Sequence, residues 1–423
     1  VVLVAVPPAD LPAGVTLNDS RDGAGRSGTP RPAQREKRIE EFMPFQKEVG
    51  TASRVDPAAA VDRLERAFGE IASETGFTGG AAVALWRNGE PLLSLHAGEA
   101  GPGRPWQAAT PCLIWSASKG LAAACTLHAL KENGIPLGQP VVTVWPEFGA
   151  SGKERTTLAD LLAHRAGLAA IHRKGLAITD HDAVAASLAA QPPNWTADGS
   201  HGYGPRTFGF LLDEIVRRVA GETLGSYWER VFRGPLGLDL WFGLPERLNA
   251  AAATVIAPKS PPEPGPFSRA FADPSSLTRR ALSEPGGPLT PAVMNSPALR
   301  GAALPSLGAI STADALARFY SLLASGNAGL FGEETLRVMR TTASSGPDRV
   351  LVENTSFSAG FMTNVYGVYG PSPAAFGHPG AGGSLAFADP ALGLGFAFIP
   401  SAMQPGALPG PRTRRLVTAV YGV

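Results

Sequence analysis

Residues 112–120 read CLIWSASKG, and within them Ser116 stands three residues before Lys119. Residues i and i+3 share one face of a helix, so the lysine amine there reaches the serine hydroxyl. Ser116 follows the extended, apolar Leu113-Ile114-Trp115 and opens a stretch with helical character. A helix start presents free backbone N–H groups and the positive end of the dipole, which suits an oxyanion forming on an attacked carbonyl. A lysine that acts as base must first lose its proton, and burial favours that loss. The pair alone is not diagnostic. With 28 serines and seven lysines in 423 residues, chance supplies roughly one such pair in every two chains of this makeup. An N-capping serine followed by a surface lysine reads the same way.

The remaining reactive residues carry less. Cys112 and Cys125 are the only cysteines; they have no metal-ligand spacing and read as small buried residues. Among the histidines, His128 falls on the helix after Ser116, and His164 reads as a residue that stabilises the turn after its own helix. His172, His181 and His201 fall in loops, with no metal spacing among them. The pentad Gly-x-Ser-x-Gly is absent, and GGSLA at 382–386 is a near miss that reads as a strand after a turn. Trp115, Trp195, Trp241 and Phe361 are candidates for an acyl pocket, although aromatics more often fill a core.

The elements that must position Ser116 are legible from periodicity. Residues 1–50 mix Gly, Pro and charge without a period and read as an irregular extension. Asp56-Pro57 is an N-cap with a first-turn proline, followed by Val61, Leu64, Phe68 and Ile71 at helical spacing. AAVALWRNGEPLLSLHAG is two apolar runs about Asn88-Gly89, a hairpin signal. From Ser116 to about residue 300 the chain reads mainly helical. SKGLAAACTLHALKENG ends at Gly134, TTLADLLAHRAG runs from Thr157 to Gly167, and TFGFLLDEIVRRVAG is apolar on one side. SPPEPGPFSRAFADPSS reads as a long loop, and STADALARFYSLLASG as a helix capped at Ser311. The chain then turns to strands in AAFGHPGAGGSLAFADPALGLGFAFIP and closes with a helix in RTRRLVTAVYG.

Strands near both ends with helices between them imply an α+β fold. One antiparallel sheet is built from the two chain ends, with flanking helices and an inserted, mainly helical lobe. The expected division is 1–50 as the extension, 51–115 with 301–423 as the sheet lobe, and 116–300 as the helical lobe. Apolar residues at 44%, charged residues at 17% and a formal net charge of +1 fit a globular protein and argue against a nucleic-acid-binding surface. No apolar run reaches the ~18 residues that a membrane helix needs.

With its neighbours, the Ser116 segment resembles a known family. IWSASKGLAAACTLHALKENGIPLGQPVVTVWPEF is similar to the nucleophile helix of the serine β-lactamase-like superfamily, in the branch of class C β-lactamases and family VIII carboxylesterases. TTLADLLAHRAGL, LPSLGAISTADALARFYSLLASG and FGHPGAGGSLAFADPALGLGFAFIP resemble further landmarks in the same order, covering about residues 56–423. The resemblance implies that Ser116 is the nucleophile and Lys119 its base. It implies that Tyr203, from GYGPRTFGF, faces them and moves the proton. The usual Tyr-x-Asn is broken by Pro205, which has no side-chain amide to bind a substrate amide. His378-Pro-Gly380 stands in place of Lys-Thr-Gly. The resemblance implies that Gly380 lets substrate approach the strand edge and that the Ala381 N–H joins that of Ser116 as an oxyanion hole. His378 is expected to hydrogen-bond Tyr203 or a substrate oxygen, charged part of the time near neutral pH.

The expected activity is acyl transfer through Ser116 to water, without metal or organic cofactor. The substrate is expected to be a small-molecule ester, and the activity that of a carboxylesterase on small to medium acyl esters, with weak β-lactam hydrolysis. Amide or D-amino-acid peptide hydrolysis, β-lactamase activity proper, acyl transfer to another acceptor or thioester cyclisation, and a silent binding scaffold are the alternatives.

Overall fold

The computed structural model describes residues 55–423 apart from 197, 327, 328 and 407, so the expected extension at 1–50 lies outside the described residues. In chain order the strands are β1 (Gly80–Arg87), β2 (Glu90–Gly101), β3 (Arg104–Pro105), β4 (Cys112–Leu113), β5 (Leu240–Phe242), β6 (Ala309–Ser311), β7 (Ser344–Pro347), β8 (Asn354–Phe357), β9 (Met362–Thr363), β10 (Phe376–Pro379), β11 (Leu385–Asp389) and β12 (Leu394–Pro400). Nine of them form one antiparallel sheet in the order β3-β2-β1-β12-β11-β10-β9-β8-β7. The first and last parts of the chain therefore meet at the β1–β12 ladder, where Ala84 faces Ala397. A second sheet of β4, β6 and β5 lies where the chain enters the Ser116 turn.

Side-chain alternation along the central strands assigns each face a partner. Val83 and Leu85 of β1, Leu385 and Phe387 of β11 and Phe396 and Phe398 of β12 share one core with the helices Pro57–Ala72 and Pro411–Tyr421. Ala82, Ala84, Ala386, Ala388 and Ala397 face the other way, toward the helix Ala313–Ser325. Small residues on that face let the helix approach closely. A Cβ on Gly395 would lie 2.1 Å from the Ala317 carbonyl oxygen, inside van der Waals contact. Each fully buried Phe on the opposite face stabilises the fold by about 1.5–3 kcal/mol in transfer terms.

Local signals explain most boundaries. Asn88 and Gly89 both take positive φ (52° and 83°), as a two-residue hairpin turn requires. Asp56 caps Pro57–Ala72, and Gly221 and Gly326 end the helices Thr207–Ala220 and Ala313–Ser325 in the left-handed conformation. Three boundaries differ from the sequence reading. The cap before Ala313 is Thr312, not Ser311. The expected helix from Thr157 toward Gly167 spans only Leu158–Leu162, because His164 already takes φ 59°. The expected loop at 260–276 contains a helix, Pro266–Ala272, with Pro266 in its first turn and the Ser268 hydroxyl accepting from the Gly265 amide at 2.8 Å. No helix among the described residues is long and apolar enough to cross a membrane.

Candidate active site

Strand β4 runs into a 3₁₀ turn, Trp115–Ala117, and then the helix Ser118–Glu132. Trp115 takes φ 51°, a left-handed conformation that costs a bulky L-residue on the order of 1–3 kcal/mol. The strain is held by a hydrogen-bond frame. The Ser118 hydroxyl donates to the Trp115 carbonyl and accepts from the Ala309 amide at 3.0 Å. The Ile114 amide donates to the Ala309 carbonyl at 3.0 Å, and the Ser384 hydroxyl donates to the Ile114 carbonyl at 2.8 Å. Ser116 itself is left half-buried, and the start of a helical turn leaves its amide without an intrahelical acceptor.

Lys119 sits on a helix whose residues Ser118 through Leu130 are all buried, so its side chain has no path to water. Its Nζ donates to the carbonyls of Pro205 (2.9 Å) and Ser306 (2.8 Å) and lies 3.3 Å from Ser116 Oγ. Burial pushes the amine well below the usual lysine range.

Tyr203 is buried, and the nearby Ser116 side chain acts to lower its phenol pKa, against the larger effect of burial. Lys119 Nζ lies 4.7 Å from its ring centroid, and the ring stacks on Phe357 at 6.0 Å with planes 6° apart. Burial raises its phenol above the ordinary tyrosine range, and the Asp348 carboxylate adds to the rise. Pro205, where the family pattern has Asn, contributes its carbonyl to Lys119.

His378 lies in the same cluster, its ring centroid 5.8 Å from that of Tyr203. Its bonding differs from the expectation. Nδ1 donates to the Pro379 carbonyl at 2.7 Å, and Nε2 is buried without a partner. Burial, reinforced by Lys119, lowers its pKa to about 3, so the ring is neutral at physiological pH and not partly charged. Gly380 also has another neighbour than expected. A Cβ there would lie 2.3 Å from the Ile114 carbonyl oxygen and 2.1 Å from Ser384 Oγ. The bare glycine thus seats the end of β10 against the Ser116 turn, and the space beside it is filled by protein. Ala381 follows, half-buried, at the start of the turn Ala381–Gly383.

Three residues of this cluster escape sequence reasoning. His164, read as a turn stabiliser, is buried against the rings of Tyr203, Phe208 and Phe357 at centroid distances of 5.3, 4.3 and 4.6 Å. Burial holds it neutral, with Lys119 and His378 adding to the effect. Asp348, from GPDRV, is a buried carboxylate that accepts from the Tyr203 amide. Ser306, inside the quoted LPSLG, supplies the second carbonyl to Lys119, while its hydroxyl accepts from Gly209 N at 2.6 Å and donates to Arg206 O at 2.9 Å. A buried acid in a polar loop has no periodic signature. Only the family-like LPSLG segment gave a hint.

The other expectations fall elsewhere. Trp241 and Phe361 are core residues, and Trp195 is buried beside Gly202. His128 bonds the Tyr227 hydroxyl at 2.8 Å in an aromatic cluster. His181 is not in a loop: it starts the helix His181–Ala190, with its two ring nitrogens 3.0 Å from Asp213 and 3.0 Å from Glu214. Among the described residues no cluster of His, Cys, Asp and Glu is arranged to hold a metal ion.

Comparison with known proteins identifies the family. The β-lactamase family model matches residues 61–419. The chain is 30% identical over 335 residues to the esterase/β-lactamase LipL of Mycobacterium tuberculosis, 76% of either chain. Among solved structures it is similar to a penicillin-binding protein homologue from Caulobacter crescentus, at 33% identity and a TM-score of 0.78, covering 86% of this chain and 97% of that one. It is also similar to a family VIII carboxylesterase, at 30% identity and a TM-score of 0.77 over the same shares. A strained serine turn, a buried lysine and a match along most of its length lead to one assignment: this chain belongs to the β-lactamase family.

Proposed function

We propose that the protein is a serine hydrolase that forms an acyl-enzyme on Ser116 and acts on uncharged carboxylic esters. One observation carries the reading: a fully buried Lys119 amine beside the Ser116 hydroxyl, with two backbone carbonyls as its other partners. A neutral amine has two N–H donors and one lone pair. The Pro205 and Ser306 carbonyls take the two N–H groups, which leaves the lone pair for the Ser116 proton.

In this mechanism Ser116 Oγ attacks the ester carbonyl as Lys119 accepts its proton. The resulting ammonium keeps both carbonyl partners, which stabilise the new charge. The Ser116 and Ala381 amides, each at the start of a turn, hold the oxyanion. The neutral Tyr203 phenol donates its proton to the leaving alkoxide and recovers one from the Lys119 ammonium. Water then attacks the acyl-enzyme by the same proton path and releases the acid. No step calls for a metal or an organic cofactor. The cluster joins Ser116, Lys119 and Tyr203 of segment 116–300 to the His378–Ala381 strand end of segment 301–423, and we place the reaction between these two lobes.

The substrate class follows from charge. Burial lowers the Lys119 amine well below the usual lysine range, keeps His164 and His378 neutral and holds Tyr203 protonated. The nearby Arg206 guanidinium is consumed by the carbonyls of Leu282, Ser283, Pro285 and Gly287. A substrate carboxylate, such as that of a β-lactam, thus finds neither histidine charged nor the Arg206 guanidinium free, and Pro205 offers no amide. The carboxylesterase and esterase/β-lactamase names of two relatives support an ester preference with weak β-lactam turnover. The test is a panel of p-nitrophenyl esters of graded chain length, nitrocefin and a D-Ala-D-Ala peptide, with Ser116→Ala as control. Ester turnover above that of nitrocefin and of the peptide, lost in the control, is expected. Nitrocefin or the peptide as best substrate would overturn the ester preference.

A further inference from the structure

Three consecutive amides around Tyr203 each donate to a group from outside their own segment. Gly202 N donates to the His164 carbonyl (3.1 Å), Tyr203 N to the Asp348 carboxylate (3.1 and 3.2 Å to its two oxygens), and Gly204 N to His164 Nδ1 (3.2 Å). The flanking glycines have no side chain to fix the backbone, so these bonds determine where Tyr203 sits. The middle anchor is the unusual one. Asp348 is an acid whose side chain is fully buried, in the turn between β7 and β8. Burying a carboxylate is costly unless donors surround it.

The donors are there. Asp348 Oδ1 accepts from Val350 N (2.8 Å) and Leu351 N (2.9 Å), and Oδ2 from the Thr355 hydroxyl (2.9 Å). Two of those groups belong to its own turn and the third to β8, and together they close the carboxylate into a rigid acceptor. The contact with Tyr203 N carries that rigidity to another part of the chain. Two further contacts tie the same turn to residue 201: Arg349 N donates to the His201 carbonyl at 3.1 Å, and His201 Nε2 lies 2.8 Å from the Thr355 hydroxyl. Phe357 of β8 then supplies the ring on which Tyr203 stacks.

We infer that Asp348 is a positioning residue for Tyr203: its buried carboxylate, held by the β7–β8 turn, fixes the tyrosine backbone so that the phenol meets Ser116. This rests on the proposed proton-transfer role of Tyr203. A displacement of about 1 Å at a reacting group is enough to lower a rate by ~10²-fold, and the anchor's purpose is to prevent it. The carboxylate touches neither Ser116 nor Lys119, so its influence passes through Tyr203.

The test is a double-mutant cycle on ester hydrolysis with Asp348→Ala and Tyr203→Phe. Asp348→Ala alone is expected to lower kcat by about 10- to 100-fold with KM within about threefold. In the Tyr203→Phe background the same change is expected to cost less than about twofold, because the group it positions is gone. Asp348→Asn keeps one oxygen for the Tyr203 amide and is expected to restore kcat to within about threefold. An equal loss in both backgrounds, or no loss at all, would overturn the inference. If Asp348→Ala does not fold, Thr355→Val, which removes one support of the carboxylate, takes its place in the cycle with the same criterion. Tyr203→Phe at the wild-type rate would instead strike the proposed role of Tyr203, so the two failures are separable.

Discussion

Gly380 and Ile114 are in backbone contact across the two halves of the site: the space that a Cβ on Gly380 would occupy lies 2.3 Å from the Ile114 carbonyl oxygen. The end of β10 and the Ser116 turn are thereby locked together, with Ser384 bridging them through its bond to the same carbonyl. The atoms that would have to yield include main chain of the Ser116 turn, with Ala117 N at 3.3 Å, as well as the Ser384 hydroxyl.

Gly380→Ala is therefore expected to push the two segments apart and misplace Ser116 relative to the Ala381 amide. The loss in kcat/KM should be about 10²-fold or more, with a stability cost of about 1–3 kcal/mol. Steady-state kinetics and urea unfolding check both. A near-wild-type rate would show that the contact does not position the oxyanion site.

The pH profile should report Lys119. Its amine must be neutral to accept the Ser116 proton, so kcat/KM is expected to fall as pH drops through the lysine's lowered pKa. That acid limb should lie well below the ordinary lysine value of about 10.4. Burial lowers the neighbouring His164 and His378 below the ordinary histidine value, so neither should add a second limb near pH 6.5. Lys119→Arg, which cannot lose its proton, should abolish turnover while the protein stays folded. Rates from about pH 5 to about pH 10 provide the check.

Pro205→Asn should restore a side-chain amide beside Lys119 while keeping the backbone carbonyl that the lysine uses. The ratio of nitrocefin to p-nitrophenyl ester turnover is expected to rise by about tenfold, in line with one added hydrogen bond of 1–2 kcal/mol. An unchanged ratio would remove residue 205 from the account of specificity.

Stability should carry a separate pH signature from His181. With one ring nitrogen against Asp213 and the other against Glu214, the imidazole must hold two protons, and its pKa is raised to about 9. A raised pKa stabilises fully below the unfolded value of about 6.5 and is lost as pH rises through about 9. Glu214, lowered to about 2, stabilises above about 4.5 and loses that as pH falls. His181→Gln is expected to cost about 1–2 kcal/mol near pH 6, after discounting for partial exposure, and almost nothing near pH 10. Urea unfolding at the two pH values measures the difference.

Local physics made much of this molecule legible in the amino-acid order. Asn88-Gly89 demands positive φ at both positions, and the β1 alternation of small and large apolar residues announces a strand covered on both faces. The serine–lysine spacing, with its family-like context, pointed to the cluster that the fold assembles around Ser116. What stayed hidden depends on contacts far apart in sequence. Asp348 is 145 residues from the Tyr203 amide it holds, and nothing in GPDRV separates it from a solvated loop acid. His181 looked like a loop residue because its two carboxylate partners lie on another helix. Gly380 was legible as a close-approach residue, but only the fold shows that the approaching group is Ile114.

The central claim is that Ser116 carries the acyl group. The most direct measurement is peptide mapping by mass spectrometry after reaction with a p-nitrophenyl ester, quenched during the first turnover, alongside Ser116→Ala. The account predicts an acyl adduct on the peptide holding Ser116 and none in the variant, whose ester turnover falls to background. An adduct on another residue, or ester turnover that survives in Ser116→Ala, would contradict it.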